Sequence, residues 1–228
     1  MKNILLILSF IISTVAVAQK HNIVNASIAL RNAKKATGDE IGVLLSEAMQ
    51  YIDEAFNTES TANDPKMWNY RAPIYLEIAL KKPELDNLAI IKATDAHIKC
   101  LQKGKKDRII VKKWTSKEDI LAGLIQCGYK LFNVAIDRYN EGDYKTSLAY
   151  YDKIFEIVPY DEEDQLKRGN ITKETILYNS FFSSNKIKDD VKSKELLQNL
   201  IDINFNEPAI YIHISDIYKR ENNIEETI

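Results

Sequence analysis

The chain has 228 residues, with 31 Lys and Arg against 33 Asp and Glu, a formal charge of −2, seven glycines and five prolines. A charge this close to balance argues against general polyanion binding, so nucleic acid is not an expected partner. Few breakers among many Ala, Leu, Ile, Lys and Glu residues suit an all-helical chain.

The first residues set the compartment. Met1-Lys2-Asn3 gives a positive start, Ile4 to Val17 is almost uninterrupted apolar sequence, and Ala16-Val17-Ala18 is a small-x-small cleavage site. This predicts a secretory signal peptide over residues 1–18 and an exported product, in the periplasm or outer cell envelope of a two-membrane bacterium. The apolar run is shorter than the roughly 20 residues of a membrane span, and no later stretch spans a membrane. Removing Lys2 with the leader leaves 30 basic and 33 acidic side chains, a charge of −3.

Beyond the leader, apolar periodicity predicts helices at 22–35, 39–57, 65–80, 87–102, 117–140, 144–157, 163–184, 190–204 and 208–221. Thr37 with Glu40 and Thr115 with Glu118 read as capping boxes, and Asp64-Pro65 as a cap before a first-turn proline. No Gly/Pro/Ser-rich linker interrupts 19–228, which reads as one elongated helical-repeat body.

One stretch is more specific. Between Leu131 and Pro159, a first helix carries Leu131, Ala135 and Tyr139, a Gly142-Asp143-Tyr144 turn follows, and Ser147, Tyr151 and Ile154 mark a second helix. Small residues stand where two antiparallel helices approach closely, and Gly142 is free to take the left-handed conformation that ends a helix. The stretch resembles a tetratricopeptide repeat. The resemblance implies an all-α fold, a right-handed α-α superhelix of stacked hairpins, and a surface that binds proteins or peptides without catalysis.

The spacing recurs along the chain. Tyr211, Ser215 and Tyr218 precede an Asn222-Asn223-Ile224 turn; Leu196, Leu200, Ile203 and Pro208 repeat the spacing of Ser147, Tyr151, Ile154 and Pro159. Trp68, Ala72 and Tyr75 open another unit, with Ala89, Ala93 and Ala96 on its second helix, and Ala48, Ile52 and Ala55 show the same spacing. Pro73 interrupts the Trp68 helix, Arg138 stands where the repeat carries an aromatic, and the helix from Glu174 to Asn185 carries no clear small residue followed by Tyr or Phe. Thr227 aligns with Ser147 just before the final Ile228, so the last unit reads as half a repeat whose natural form continues.

The connection from Gly104 to Thr115 is the most basic part of the chain. Lys103, Lys105, Lys106, Arg108, Lys112 and Lys113 flank Trp114. The pattern fits either an anionic partner or, more commonly, a solvated loop packed over Trp114. Ile109-Ile110-Val111 within it allows a short extended segment. Cys100 and Cys127 fall on successive helices, where an oxidising compartment permits a disulfide and an apolar helix face permits two buried thiols. His97 and Cys100 are three apart on one helix, but structural zinc takes four ligands. No metal site or cofactor is expected.

Catalytic signatures are absent: there is no Gly-rich phosphate loop, His-Glu-x-x-His, Cys-x-x-Cys or Gly-x-Ser-x-Gly elbow. Ser183-x-x-Lys186 lacks its companion motifs, and the run Asp161-Glu162-Glu163-Asp164 suits a helix N-terminus better than a calcium loop. If the repeats stack, first-helix residues left over from packing line a groove. These are Tyr129, Phe132, Ile136 and Tyr139 in the best unit and Ile212, Asp216, Lys219 and Arg220 in the last. Phe132 and Ile136 occupy the positions where chaperone co-factors of this family place a lysine and asparagine carboxylate clamp, so that specialised role is not implied. The expected function is a protein-interaction scaffold or assembly adaptor of the cell envelope, with an exported glycan-binding accessory as the alternative.

Overall fold

The scarcity of breakers is realised as eleven α-helices among residues 21–221, the part of the chain that the computed structural model describes. The first, α1, covers 21–33; then come α2 (Glu40–Phe56), the single turn α3 (Glu59–Ala62), α4 (Pro65–Lys81), α5 (Ala89–Leu101) and α6 (Lys117–Asn140). After these follow α7 (Tyr144–Phe155), the single turn α8 (Gln165–Arg168), α9 (Lys173–Lys186), α10 (Asp190–Asp202) and α11 (Pro208–Arg220). The chain is all-α, a helical-repeat fold whose helices pack in adjacent pairs. No helix is long and apolar enough to cross a membrane among the described residues. The leader segment 1–18 and the last half-unit at Thr227 lie outside them.

Most helix limits fall within two residues of the periodicity. The predicted helix at 163–184 divides into α8 and α9, because Gly169 ends α8 and Asn170 takes a positive φ of 62°. Asp64 caps α4 as expected, accepting from the Lys66 amide at 2.8 Å. The other two boxes are displaced. Asp39, not Thr37, precedes α2 and makes no side-chain cap bond, while Ser116 accepts from the Asp119 amide at 3.0 Å at the start of α6. Thr115 is diverted to Asn69, whose side-chain oxygen accepts its hydroxyl at 2.5 Å. Pro73 leaves α4 unbroken over its 17 residues.

The chain divides into two compact units, Met1–Cys127 and Gly128–Ile228. In the first, α4 packs against α2 and α5. The small residues anticipated from spacing are the ones that let these helices approach: Ala48 and Ala55 on α2, Ala72 on α4, and Ala93 and Ala96 on α5 are all fully buried. A charged cluster closes the α2–α4 seam. The buried Arg71 guanidinium meets Asp53 Oδ1 at 2.5 Å, and the Tyr75 hydroxyl donates to the same carboxylate, 2.6 and 2.7 Å from its two oxygens. Arg71 also lies 4.1 Å from the centre of the Phe56 ring and 4.6 Å from that of Tyr75. Burial first, then the bond to Asp53, holds the Tyr75 phenol well above its ordinary pKa, so it stays a donor.

Between α5 and the start of α6, His97 is buried with Nδ1 donating to the Ala93 carbonyl at 2.8 Å, and burial lowers its pKa to about 4. The Cys127 sulfur lies 3.8 Å from that nitrogen. Cys100 and Cys127 are both free and buried, which pushes each thiol up to about 12. A methyl group at Gly123 would sit 2.2 Å from His97 Nε2. Gly123→Ala is therefore expected to cost about 2 kcal/mol by overpacking, even after gaining about 1 kcal/mol of helix propensity. Urea denaturation checks this: the same substitution becomes stabilising in a His97→Ala background, and a neutral effect in the native background overturns the explanation.

In the second unit, α7 packs on α9, α9 on α10, and α10 on α11. Two turns follow one hydrogen-bond pattern 46 residues apart. Gly142 (φ 86°) and Lys188 (φ 60°) each donate three residues back, to Tyr139 and Asn185. Asp143 and Asp189, which follow them, each donate five residues back and cap the next helix through a side-chain carboxylate. The pattern fixes the register: Ser193, not Leu196, is the counterpart of Ser147, with Leu197 and Leu200 standing for Tyr151 and Ile154. On α11 the buried face is Ile210, Ile214 and Ile217, one residue before the expected Tyr211, Ser215 and Tyr218. Tyr211 is 54% exposed.

Candidate functional site

Applied to α9, this register explains why the helix looked featureless. Its small residues are serines. Ser180, Ser183 and Ser184 are fully buried, Ser147 and Ser183 share a 3.0 Å hydrogen bond between α7 and α9, and Ser184 bonds Ser193 on α10 at 2.8 Å. The Ser183 and Ser184 hydroxyls find partners across seams too narrow for larger side chains, whereas the buried Ser180 hydroxyl has none among the described residues. Phe181 occupies the counterpart of Ala135, and flanking Ser180 and Ser184 leave it room.

The close approach of α7 and α9 opens a groove between α6 and α9, the first helices of the two hairpins. A cavity of about 400 Å3 is lined by Ile136 and Tyr139 of α6, Tyr151 of α7, and Asn179 and Phe182 of α9. The Tyr139 ring meets Tyr144 edge-on at 5.1 Å, and Phe132 braces Tyr151 edge-on at 5.8 Å. Burial pushes the Tyr151 phenol up to about 12, an effect offset in part by the Asn179 side chain. The walls are apolar and aromatic, Asn179 adds an amide, and the volume suits one or two side chains of a bound chain or a small ligand.

The residues expected to line a groove are thus distributed. Ile136 and Tyr139 line it, and Phe132 supports a wall from behind. Tyr129 does other work: its hydroxyl donates to the Gln165 carbonyl at 2.5 Å and its ring lies against Gly169, so it ties down α8. On α11, Ile212 is 62% exposed, Asp216 and Lys219 pair with each other at 3.8 Å, and Arg220 forks onto Asp190 with contacts of 2.6 and 3.2 Å. Arg220 is thereby engaged at the start of α10, and its guanidinium holds the Asp190 carboxyl below the usual range. Asn179, Phe182 and His213 were missed. His213 packs on Phe181 and Phe182, with ring centres 4.9 and 6.3 Å apart. The 46-residue offset would have found Phe182, which is the counterpart of Ile136.

Other sequence features resolve into structure. The basic connection is closed by a single antiparallel bridge between Lys103 and Ile109, and Lys103 pairs with Asp107 at 2.8 Å. Val111 of this loop is buried, whereas Trp114 stays 37% exposed with Lys113 over its ring. Asp161 accepts from the Gln165 and Leu166 amides at 2.7 and 2.8 Å, so the acidic run caps α8. Ser183 is buried in the serine seam. No group of three or more His, Cys, Asp or Glu side chains stands close enough to hold a metal among the described residues. No protein-family model matches the chain, and no curated protein sequence matches it.

Proposed function

We propose that this chain is an exported tetratricopeptide-like repeat protein that acts as a non-catalytic interaction scaffold or assembly adaptor of the bacterial cell envelope. The observation that carries the reading is the groove between α6 and α9. Its lining of Ile136, Tyr139, Tyr151, Asn179 and Phe182 offers apolar anchorage and one amide. Aromatic anchor sites of this kind concentrate binding energy in protein interfaces. The leader-like residues 1–18 support export.

A photocrosslinking amino acid at Ile136, followed by capture from envelope extracts, tests the proposal. A reproducible protein adduct is expected, and it should fall by about tenfold when Tyr139→Ala and Phe182→Ala remove the walls. Absence of any protein adduct that depends on those two side chains counts against the scaffold. The same aromatic rings beside an amide also suit a sugar ring, which keeps an exported glycan-binding accessory as the second reading. Glycan-array binding lost in Tyr139→Ala would favour it, and a flat array would discard it.

A further inference from the structure

The first unit carries a second cavity, of about 370 Å3, between α1 and α4, lined by Ser27, Leu30, Arg31, Lys34, Lys35 and Tyr70. Its composition is divided. Leu30 is buried and Tyr70 half-buried, so the interior is apolar, while Arg31, Lys34 and Lys35 are exposed. Residues 27, 30 and 31 of α1, with 34 and 35 in the turn that continues it, follow the spacing of one helical face, which places three cations along one edge of the cavity.

Among the described residues the charge there is neutralised only in part. Glu77 is the acidic side chain that reaches this edge; it lies 3.6 Å from Lys34 and is held more closely by Lys81, at 2.8 Å. The Arg31 and Lys35 side chains form no ion pair or hydrogen bond with any described residue. Arg31 stands three and four residues before Lys34 and Lys35, the spacings at which like charges on a helix repel. The arrangement costs the free protein stability and would be relieved by an anion.

We propose that this cavity binds a small organic carboxylate. Its apolar body rests on Leu30 and the Tyr70 ring, and its carboxylate is met by Arg31 and Lys35. A guanidinium presents two parallel donors that match a carboxylate, and the neighbouring ammonium adds a point charge. A bare inorganic anion would leave the apolar interior unused. The volume lies at the small end of ligand pockets, which suits a molecule with a body of one ring or a short alkyl chain. This site is independent of the groove on α6 and α9.

The test uses the full chain and titration calorimetry with 3-phenylpropanoate and octanoate, each beside its neutral amide, and with inorganic phosphate. Saturable binding of one or both carboxylates is expected, with the amide at least about tenfold weaker and affinity falling as salt is raised. Arg31→Gln with Lys35→Gln should weaken carboxylate binding by about tenfold or more, whereas the charge-matched control Lys112→Gln with Lys145→Gln should leave it unchanged. Because Arg31 and Lys35 are exposed and mutually repelled, their removal should leave the melting temperature unchanged or raised, which separates lost binding from lost folding. Equal binding of acid and amide, phosphate binding as tight as carboxylate, or retained affinity in the Arg31/Lys35 variant would each overturn the proposal.

Discussion

Phe181→Ala should cost the second unit about 4 kcal/mol, the range found when a fully buried aromatic is truncated and its cavity cannot collapse. Phe181 sits in a cluster with Leu177, Leu196, Leu197, Leu200, Ile210, Ile214 and Ile217, and its ring is in contact distance of Phe182 and His213. Chemical denaturation followed by far-UV circular dichroism measures the loss. Phe182→Ala, at a half-buried groove wall, should cost only about 2 kcal/mol, since part of its surface is already wet. A loss below about 1 kcal/mol for Phe181→Ala would show that this ring is not the centre of the unit's core.

Asp53→Ala should destabilise the first unit by about 3 kcal/mol. The substitution removes the partner of a buried guanidinium and the acceptor of the Tyr75 hydroxyl together, and a stranded buried charge is among the costlier single changes. The effect falls at the lower end of that range because the Asp53 carboxylate is itself 33% exposed. Both tryptophans, Trp68 and Trp114, lie in this unit, so fluorescence-monitored unfolding reports on it selectively. Removing both charges, with Asp53→Ala and Arg71→Met, should recover part of the loss, because the stranded charge and not the missing pair dominates the penalty. A double variant no more stable than Asp53→Ala alone would mean that packing of the Asp53 stem matters more than its charge.

What the sequence made legible follows from which signals are local. Helix positions depend on apolar periodicity and caps within a few residues, and α6 was read to the residue from that alone. The hairpin from Leu131 to Pro159 was legible because Ala135, Gly142 and Ser147 are small for reasons visible in one dimension. Its neighbour was not. Lys188 takes the left-handed turn that Gly142 takes, and Phe181 stands in the place of Ala135 with the small residues moved to the serines beside it, so a pattern keyed to residue type missed a match in backbone geometry. The groove was half legible: Ile136 and Tyr139 lie on the best repeat, whereas Asn179 and Phe182 come from the unit whose register was hidden. Tyr129 was misplaced because its partner, the Gln165 carbonyl, belongs to an irregular excursion that no periodicity predicts.

That excursion, from Val158 to Ile171, adds length between the two matching turns, which stand 46 residues apart. Tyr129 fastens it at the α8 carbonyl and Asp161 fastens it at the α8 amides, so neither the serine seam nor the two turns has to absorb the extra length. The distance between hairpins along the chain is therefore decoupled from their distance in space. Insertions between Glu162 and Asp164 would lengthen a tethered loop and leave the packing on either side in register. The molecule counts its repeats in hydrogen bonds, and residue number is free to drift where those bonds are not made.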